Sequence, residues 1–148
     1  MKVALGSDHA GYDLKQSIKQ ILDEMKIEYT DFGTDEAISC DYSDYAIIVS
    51  EKVAKGEYDR GILVCGTGIG MSIASNKVKG IRAALIENIY SAKVTREHNN
   101  SNVLCLGGRV TGLEVAKEIV KTWLGTDFIG GKHERRVGKI TTYENLNK

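Results

Sequence analysis

The most reactive residue types of this chain gather in one glycine-rich segment, CGTGIG, at positions 65–70. The segment follows an apolar run, GILVC at 61–65, and precedes a stretch with helical character at 69–78. Glycines let a backbone approach a ligand closely, and the amides at a helix start favour negative charge. A thiol beside such amides gains thiolate character, and the same amides can stabilise an oxyanion. Cys65 is therefore a candidate base or nucleophile.

Taken by itself, the loop leaves the role of Cys65 open. A free cysteine is more often a buried packing residue, and we predict that role for Cys40 and Cys105. The loop lacks the lysine that follows the last glycine of a Walker motif, and it lacks the last glycine of a dinucleotide fingerprint. Nucleotide binding is therefore not predicted.

Further polar residues follow a predicted strand or lie near a helix end. Asp8 and His9 follow the first strand in SDHAG, and His98 and Asn99 lie near a helix C-terminus in REHNNSN. Three structural alternatives apply: Asp8 as the cap of the first helix, Thr67 as the cap of the third, and His98 as a cation favoured at a helix C-terminus. His9 is expected to face the same cleft as the thiol.

Cationic residues form two clusters in a chain whose 20 basic and 20 acidic side chains cancel. Arg109 follows LGG after the last predicted strand, and GGKHERRVGK contains Lys132, His133, Arg135 and Arg136. Arginine binds phosphate with a planar, bidentate fork, whereas a charge run at a helix start is usually a solvated face. Two clusters in a neutral protein favour a compact anion such as a sugar phosphate.

Apolar periodicity predicts five strands that alternate with helices. Alternation of this kind indicates an α/β fold, a three-layer Rossmann-like sandwich with a five-stranded parallel sheet flanked by helices. Ligands of such folds bind at the carboxyl ends of the strands. The predicted strands are 2–6, 27–32, 61–65, 82–86 and 102–107, and the predicted helices are 10–26, 41–56, 69–78, 89–99, 112–125 and about 134–146.

Composition limits the class of protein. The 148 residues fit a single domain (1–148), of which 42% are hydrophobic. Zero net charge does not favour nucleic-acid binding, and there is neither an apolar run of membrane length nor a secretory signal at the start. Three cysteines without a close pair favour neither a disulfide framework nor a zinc site, so we predict a cytoplasmic protein.

Five blocks of the sequence, spread in order over nearly the whole chain, resemble type B ribose-5-phosphate isomerase. The blocks are GSDHAGYDLK, DYSDYA, GILVCGTGIGMSIASNKVKGIRAA, REHNNSNVLCLGGRVTG and GGKHERRV. The family also contains allose-6-phosphate and galactose-6-phosphate isomerases. The resemblance implies interconversion of D-ribose 5-phosphate and D-ribulose 5-phosphate in the pentose phosphate pathway, without a cofactor or metal. It also implies a homodimer whose active sites lie between the subunits.

The resemblance further implies a role for each candidate residue. Cys65 would be the base that moves a proton between C2 and C1 through an enediolate. Thr67 and His98 would assist opening of the furanose ring, and Asp8 would hydrogen-bond sugar hydroxyls. The other expected contacts are the loop backbone that holds the enediolate charge (Gly66, Gly68, Ile69 and Gly70), two sugar contacts (Tyr42 and Asn99), and four phosphate ligands, some of them from the partner subunit (His9, Arg109, Lys132 and Arg136).

Two positions distinguish this chain within the family it resembles. Lys132 stands where many members have arginine, and lysine lacks the bidentate fork. Met71 stands where another branch has a glutamate base, so the cysteine branch is indicated and Met71 is predicted to pack. The alternative functions are allose-6-phosphate or galactose-6-phosphate isomerisation, and non-catalytic binding of a sugar phosphate.

Overall fold

The computed structural model describes residues 1–147, which form one parallel sheet with the strand order β2-β1-β3-β5-β4. Strand–helix alternation and the parallel sheet are confirmed. In chain order the elements are β1 (Lys2–Ser7), α1 (Tyr12–Glu24), β2 (Glu28–Asp31), α2 (Tyr42–Ala54), β3 (Arg60–Cys65), α3 (Ile69–Ser75), β4 (Ala83–Leu85), α4 (Ile89–Asn99), β5 (Val103–Gly107), α5 (Leu113–Leu124) and α6 (Lys132–Leu146).

Helices cover both faces of the sheet and produce two hydrophobic clusters. On one face α1, α4 and α5 pack with residues such as Ile18, Ala92 and Trp123, and on the other face α2 and α3 pack with Val49 and Met71. The central strand β3 is buried along its whole length because it has helices on both sides. The predicted packing role of Met71, which is fully buried, therefore agrees with its position.

Element ends depart from the sequence prediction in two instructive places. The third helix ends at Ser75 rather than at 78, because the Asn76 side chain donates to and accepts from the backbone of Ala83 and so turns the chain into β4. The fifth helix begins at Leu113 rather than at 112 and ends at Leu124 rather than at 125, and Leu113 at its start is half exposed.

The strand order places a switch point between β1 and β3. The connection from β1 leads outward to β2, whereas the connection from β2 returns across β1 to β3. In open parallel sheets the crevice outside the carboxyl ends of the strands at such a point is the usual ligand site. Asp8 follows β1 and Cys65 ends β3, so both lie at this crevice. Among the helices of residues 1–147, none is long and apolar enough to cross a membrane.

Candidate active site

The glycine loop after β3 holds Cys65 by its sulfur. The Gly68 N–H donates to Cys65 Sγ at 3.1 Å. Gly68 has φ +78°, and a methyl group there would lie 2.5 Å from Leu85 Cδ1 and 2.9 Å from the Leu106 carbonyl carbon. Glycine is therefore required here by both conformation and space. A backbone amide is thus directed at the sulfur and fixes its position at the mouth of the loop.

The three cysteines occupy different environments. The exposed fraction of Cys65 is 5%, whereas that of Cys105 is 0%. Burial raises the pKa of Cys105 well above its ordinary range, so its thiol stays protonated, as the prediction of a packing role requires. The same prediction for Cys40 is wrong, because Cys40 is partly exposed. It lies in the loop before α2, where its Sγ is 3.9 Å from His9 Nδ1.

His9 is oriented by that loop. The backbone N–H of Cys40 donates to His9 Nδ1 at 3.2 Å. Because Nδ1 accepts this hydrogen bond, the ring proton lies on Nε2, which makes Nε2 the donor available to a ligand. Sequence reasoning missed this contact, since residues 35–41 have no regular pattern that would place Cys40 next to His9.

Asp8 is fixed to the same strand end as Cys65. Its backbone N–H donates to the carbonyl of Val64, and its Oδ1 accepts from the Gly11 N–H at 3.0 Å. Since α1 begins at Tyr12, the carboxylate stabilises the turn that precedes the helix. Asp8 is almost fully buried, so its carboxylate is held in place by this contact.

Arg109, Thr67 and Tyr42 surround the loop. The Arg109 N–H donates to the Gly66 carbonyl at 2.9 Å, and a methyl group on Gly66 would lie 3.6 Å from Arg109 Nη1. Thr67 Oγ1 accepts from the Ile69 N–H at 3.2 Å, a contact within the turn before α3, whose N-cap is Gly68 rather than Thr67. The Tyr42 ring covers Gly70 so closely that a methyl group there would come within 2.6 Å of it. We define the carboxyl-edge group as Asp8, His9, Tyr42, Cys65, Thr67 and Arg109.

The other predicted residues lie elsewhere. His98 and Asn99 end α4, just before β5, and Lys132 begins α6. The His98 ring stacks on the His133 ring, with centroids 4.0 Å apart and planes 6° apart. Partial burial and the neighbouring positive charges of His98, Lys132 and Arg136 lower the pKa of His133. We call His98, Asn99, Lys132, His133 and Arg136 the amino-edge group.

The two groups lie at opposite edges of the sheet. Gly61 pairs with Val103 at the start of β5, and Cys65 pairs with Gly107 at its end. The strand between these pairs is about 13 Å long at a rise of about 3.3 Å per residue. His98 lies in the helix before Val103, at the amino edge, whereas Cys65 lies at the carboxyl edge. A five-carbon chain spans only about 6 Å between its ends, given carbon–carbon bonds of about 1.5 Å. A single chain therefore does not bring Cys65 and His98 to one pentose.

Comparison with known proteins identifies the family. The model of the family described as Ribose/Galactose Isomerase matches residues 3–140. The chain belongs to this family. Ribose-5-phosphate isomerase B of Escherichia coli (strain K12) is 50% identical over 143 residues, covering 97% of this chain and 96% of that protein.

Solved structures agree over almost the whole chain. Ribose-5-phosphate isomerase B of Clostridium thermocellum superposes with a TM-score of 0.98 at 52% identity and covers 100% of both chains. Ribose-5-phosphate isomerase B of Mycoplasma genitalium, solved with bound ribulose-5-phosphate, superposes with a TM-score of 0.94 at 40% identity, covering 97% of this chain and 96% of that one.

Proposed function

We propose that this protein is a ribose-5-phosphate isomerase that interconverts D-ribose 5-phosphate and D-ribulose 5-phosphate. The observation that carries the proposal is the near-complete structural match to a family member with bound ribulose-5-phosphate. The chain also contains a group that could act as the base of this reaction. Cys65 lies at the switch point of the sheet, and the Gly68 N–H is directed at its sulfur.

In the proposed mechanism Cys65 is the base. The thiolate takes the proton from C2 of the open-chain aldose and an enediolate forms. A proton passes from the C2 oxygen to the C1 oxygen, and the thiol returns a proton to C1, which leaves the ketose carbonyl at C2. Negative charge grows on the substrate oxygens during the first transfer. The backbone amides of Gly66 to Gly70 stabilise that charge. Asp8 hydrogen-bonds the sugar hydroxyls from its fixed position.

We infer that a second copy of the chain completes the site. The amino-edge group contains the residue expected to open the furanose ring, His98, and two of the expected phosphate ligands, Lys132 and Arg136. Because these cannot reach Cys65 of their own chain, a homodimer in which each chain lends its amino-edge group to the other satisfies every assigned role. Two-fold symmetry then gives two equivalent sites.

Exposed apolar side chains support this arrangement. On the α2–α3 face, beside the carboxyl-edge group, lie large hydrophobic residues that are 43–60% exposed in the single chain: Tyr42, Ile47, Ile48, Ile69 and Ile73. Large apolar patches on a surface mark protein interfaces. Tyr42 belongs both to this patch and to the loop that holds the thiol, which fits a site next to a subunit boundary.

In the complete site, phosphate would be bound from both chains. His9, with its Nε2 donor, and Arg109 approach from the chain that supplies Cys65, and Lys132 and Arg136 approach from the other chain. Thr67 and His98 would then face the ring oxygen from the two sides. A cytoplasmic location, in which the thiols stay reduced, completes the proposal.

The proposal is tested by assaying purified protein on ribose 5-phosphate and allose 6-phosphate in D2O. We expect turnover of ribose 5-phosphate, with deuterium from solvent appearing at C1 of ribulose 5-phosphate, because the thiol exchanges the proton taken from C2 with D2O before it returns one to C1. A higher kcat/KM for allose 6-phosphate would reassign the substrate. Binding of ribose 5-phosphate without any turnover would favour the non-catalytic alternative.

A further inference from the structure

Two buried arginines converge on one turn at the amino edge of the sheet. Arg60 starts β3 and Arg96 lies in the last turn of α4, and their exposed fractions are 8% and 6%. Both guanidinium groups reach the segment 125–131, which joins α5 to α6. None of the roles assigned above uses either residue.

Arg60 caps the C-terminus of α5. Its Nη1 donates to the carbonyls of Trp123 at 2.7 Å and Leu124 at 3.1 Å, and its Nη2 donates to the carbonyl of Thr126 at 3.5 Å. The last carbonyls of a helix lack partners within the helix and attract positive charge. Arg60 thus fixes the direction in which the chain leaves α5.

Arg96 joins the same turn to α4. Its Nε donates to the Thr126 carbonyl at 3.2 Å, so one oxygen accepts from both arginines. Its Nη1 donates to the Ser101 carbonyl at 2.5 Å and to Asn100 Oδ1 at 3.0 Å. The guanidinium fork therefore bridges the turn before α6 and the segment that follows His98.

The arrangement is poorly explained by stability alone. In the part of the chain that the structure describes, neither guanidinium forms an ion pair with a carboxylate. Burial lowers the pKa of both arginines, that of Arg96 to about 10, and the positive charge of Arg60 adds to the effect on Arg96. Buried charges are weak evidence for stabilisation, because apolar side chains of similar volume often serve as well. The two guanidinium groups instead fix the geometry of the turn 125–131.

That geometry determines where α6 begins. No described side chain of α6 is buried, and near its C-terminal end the helix is held by the Glu144 carboxylate, which accepts from the Gly80 N–H at 3.0 Å. Its start is set by the turn, where the Ile129 N–H donates to the Glu97 carbonyl at 3.1 Å and the His133 N–H donates to the Gly130 carbonyl at 3.1 Å. The turn therefore places His133 against His98 of α4.

We propose that Arg60 and Arg96 are positioning residues that align the amino-edge group for ring opening and phosphate binding. The inference rests on the proposed function, since it assigns a purpose to residues of that same site. Both arginines act through the turn 125–131 rather than by touching the substrate. Their loss moves the cations and the imidazole stack together.

Arg96→Lys is the informative variant. Lysine keeps the positive charge but presents a single ammonium group, which cannot bridge the Thr126 and Ser101 carbonyls as a fork does. We expect the KM for ribose 5-phosphate and the inhibition constant for inorganic phosphate to rise together by on the order of tenfold, because small displacements of binding groups have large effects. The kcat should fall by a smaller factor, since the thiol lies at the other edge of the sheet.

The matched control is Leu22→Ala, which creates a cavity under α1 at a fully buried position. It should lower the melting temperature while leaving the KM and the phosphate inhibition constant within about twofold of wild type. The proposal is overturned if folded Arg96→Lys also stays within that range, or if Leu22→Ala shows the same rise. Should Arg96→Lys not fold, Arg60→Lys decides by the same criteria.

The two proposals can fail separately. If wild type binds inorganic phosphate but does not isomerise ribose 5-phosphate, the proposed function is wrong. The positioning role is then decided by the dissociation constant of inorganic phosphate, measured by calorimetry on wild type and on the two lysine variants. An unchanged dissociation constant in a folded variant would overturn it.

Discussion

The proposed division of the site between two subunits predicts complementation between two inactive variants. Cys65→Ala removes the proposed base of the carboxyl-edge group, and His98→Asn removes the imidazole of the amino-edge group. Each variant's proposed homodimer would then lack one required residue in both of its sites. In a heterodimer of the two variants, one site contains both substitutions and the other site contains neither.

The expected recovery follows from symmetry. A heterodimer isolated through two different affinity tags has one intact site out of two, so it should show about half of wild-type specific activity on ribose 5-phosphate. An unfractionated mixture after co-refolding in equal amounts should show about a quarter, because only about half of the dimers are mixed. The geometric basis is the length of β5, which runs about 13 Å from Val103 to Gly107 between the two edges of the sheet.

The control pairs two residues of the same edge. Cys65→Ala mixed with Asp8→Ala should recover nothing, since every site of that heterodimer lacks one of the two residues. If Cys65→Ala and His98→Asn also recover nothing although the two-tag heterodimer has been isolated and is folded, both residues act within one chain. That result would refute the division of the site.

The remaining predictions concern single variants. His98→Asn should lose far more activity on ribose 5-phosphate than on erythrose 4-phosphate, whose phosphate blocks the hydroxyl that closes a furanose ring; equal losses in steady-state assays would exclude a role in ring opening. Burial raises the pKa of Asp31, but hydrogen bonds from Lys19 and Lys15 outweigh it, so the pKa lies below its ordinary value. The ionised carboxylate therefore stabilises the fold above about pH 4, and this contribution is lost as the pH falls further. The unfolding free energy of Asp31→Asn, measured in urea, should thus differ from wild type most at neutral pH and least near pH 3; a pH-independent difference would contradict this. Gly68→Ala should destabilise the protein by about 1–3 kcal/mol and lower kcat, because its φ is +78° and space is lacking; a wild-type urea midpoint would contradict the loop geometry.

The fold could be predicted because each strand and helix has its own local pattern. The buried run of β3 and the amphipathic faces of α1 and α5 are visible in the sequence, and their alternation implies a parallel sheet. Strand order could not be predicted in this way. It depends on which strands become neighbours after the helices have packed, and no residue of β4 or β5 encodes that choice locally.

The carboxyl-edge group was predictable for the same reason. Asp8 and Cys65 directly end or follow strands, and the ends of parallel strands meet at one edge. The position of His98 also had a signal that the sequence analysis left unused. A residue in the last turn of a helix that leads into a strand lies at the amino edge, so His98 and Cys65 are expected at opposite edges of the sheet of one chain.

Contacts that depend on irregular segments were beyond the sequence. The pairing of His9 with the backbone of Cys40 arises in a loop without periodicity. The convergence of Arg60 and Arg96 on Thr126 joins residues that are far apart in the sequence and lie in three different segments of the chain. Burial of an arginine cannot be inferred from residue type, since arginine is usually exposed.

The central claim, that the sulfur of Cys65 is the base, is tested most directly by Cys65→Ala with Cys105→Ala as the matched control. We predict that Cys65→Ala lowers kcat for ribose 5-phosphate by about three orders of magnitude, the middle of the range for general base catalysis, while the inhibition constant for inorganic phosphate stays unchanged. Cys105→Ala, at a fully buried position, should lose stability but keep its kcat. A kcat for Cys65→Ala within tenfold of wild type would contradict the account.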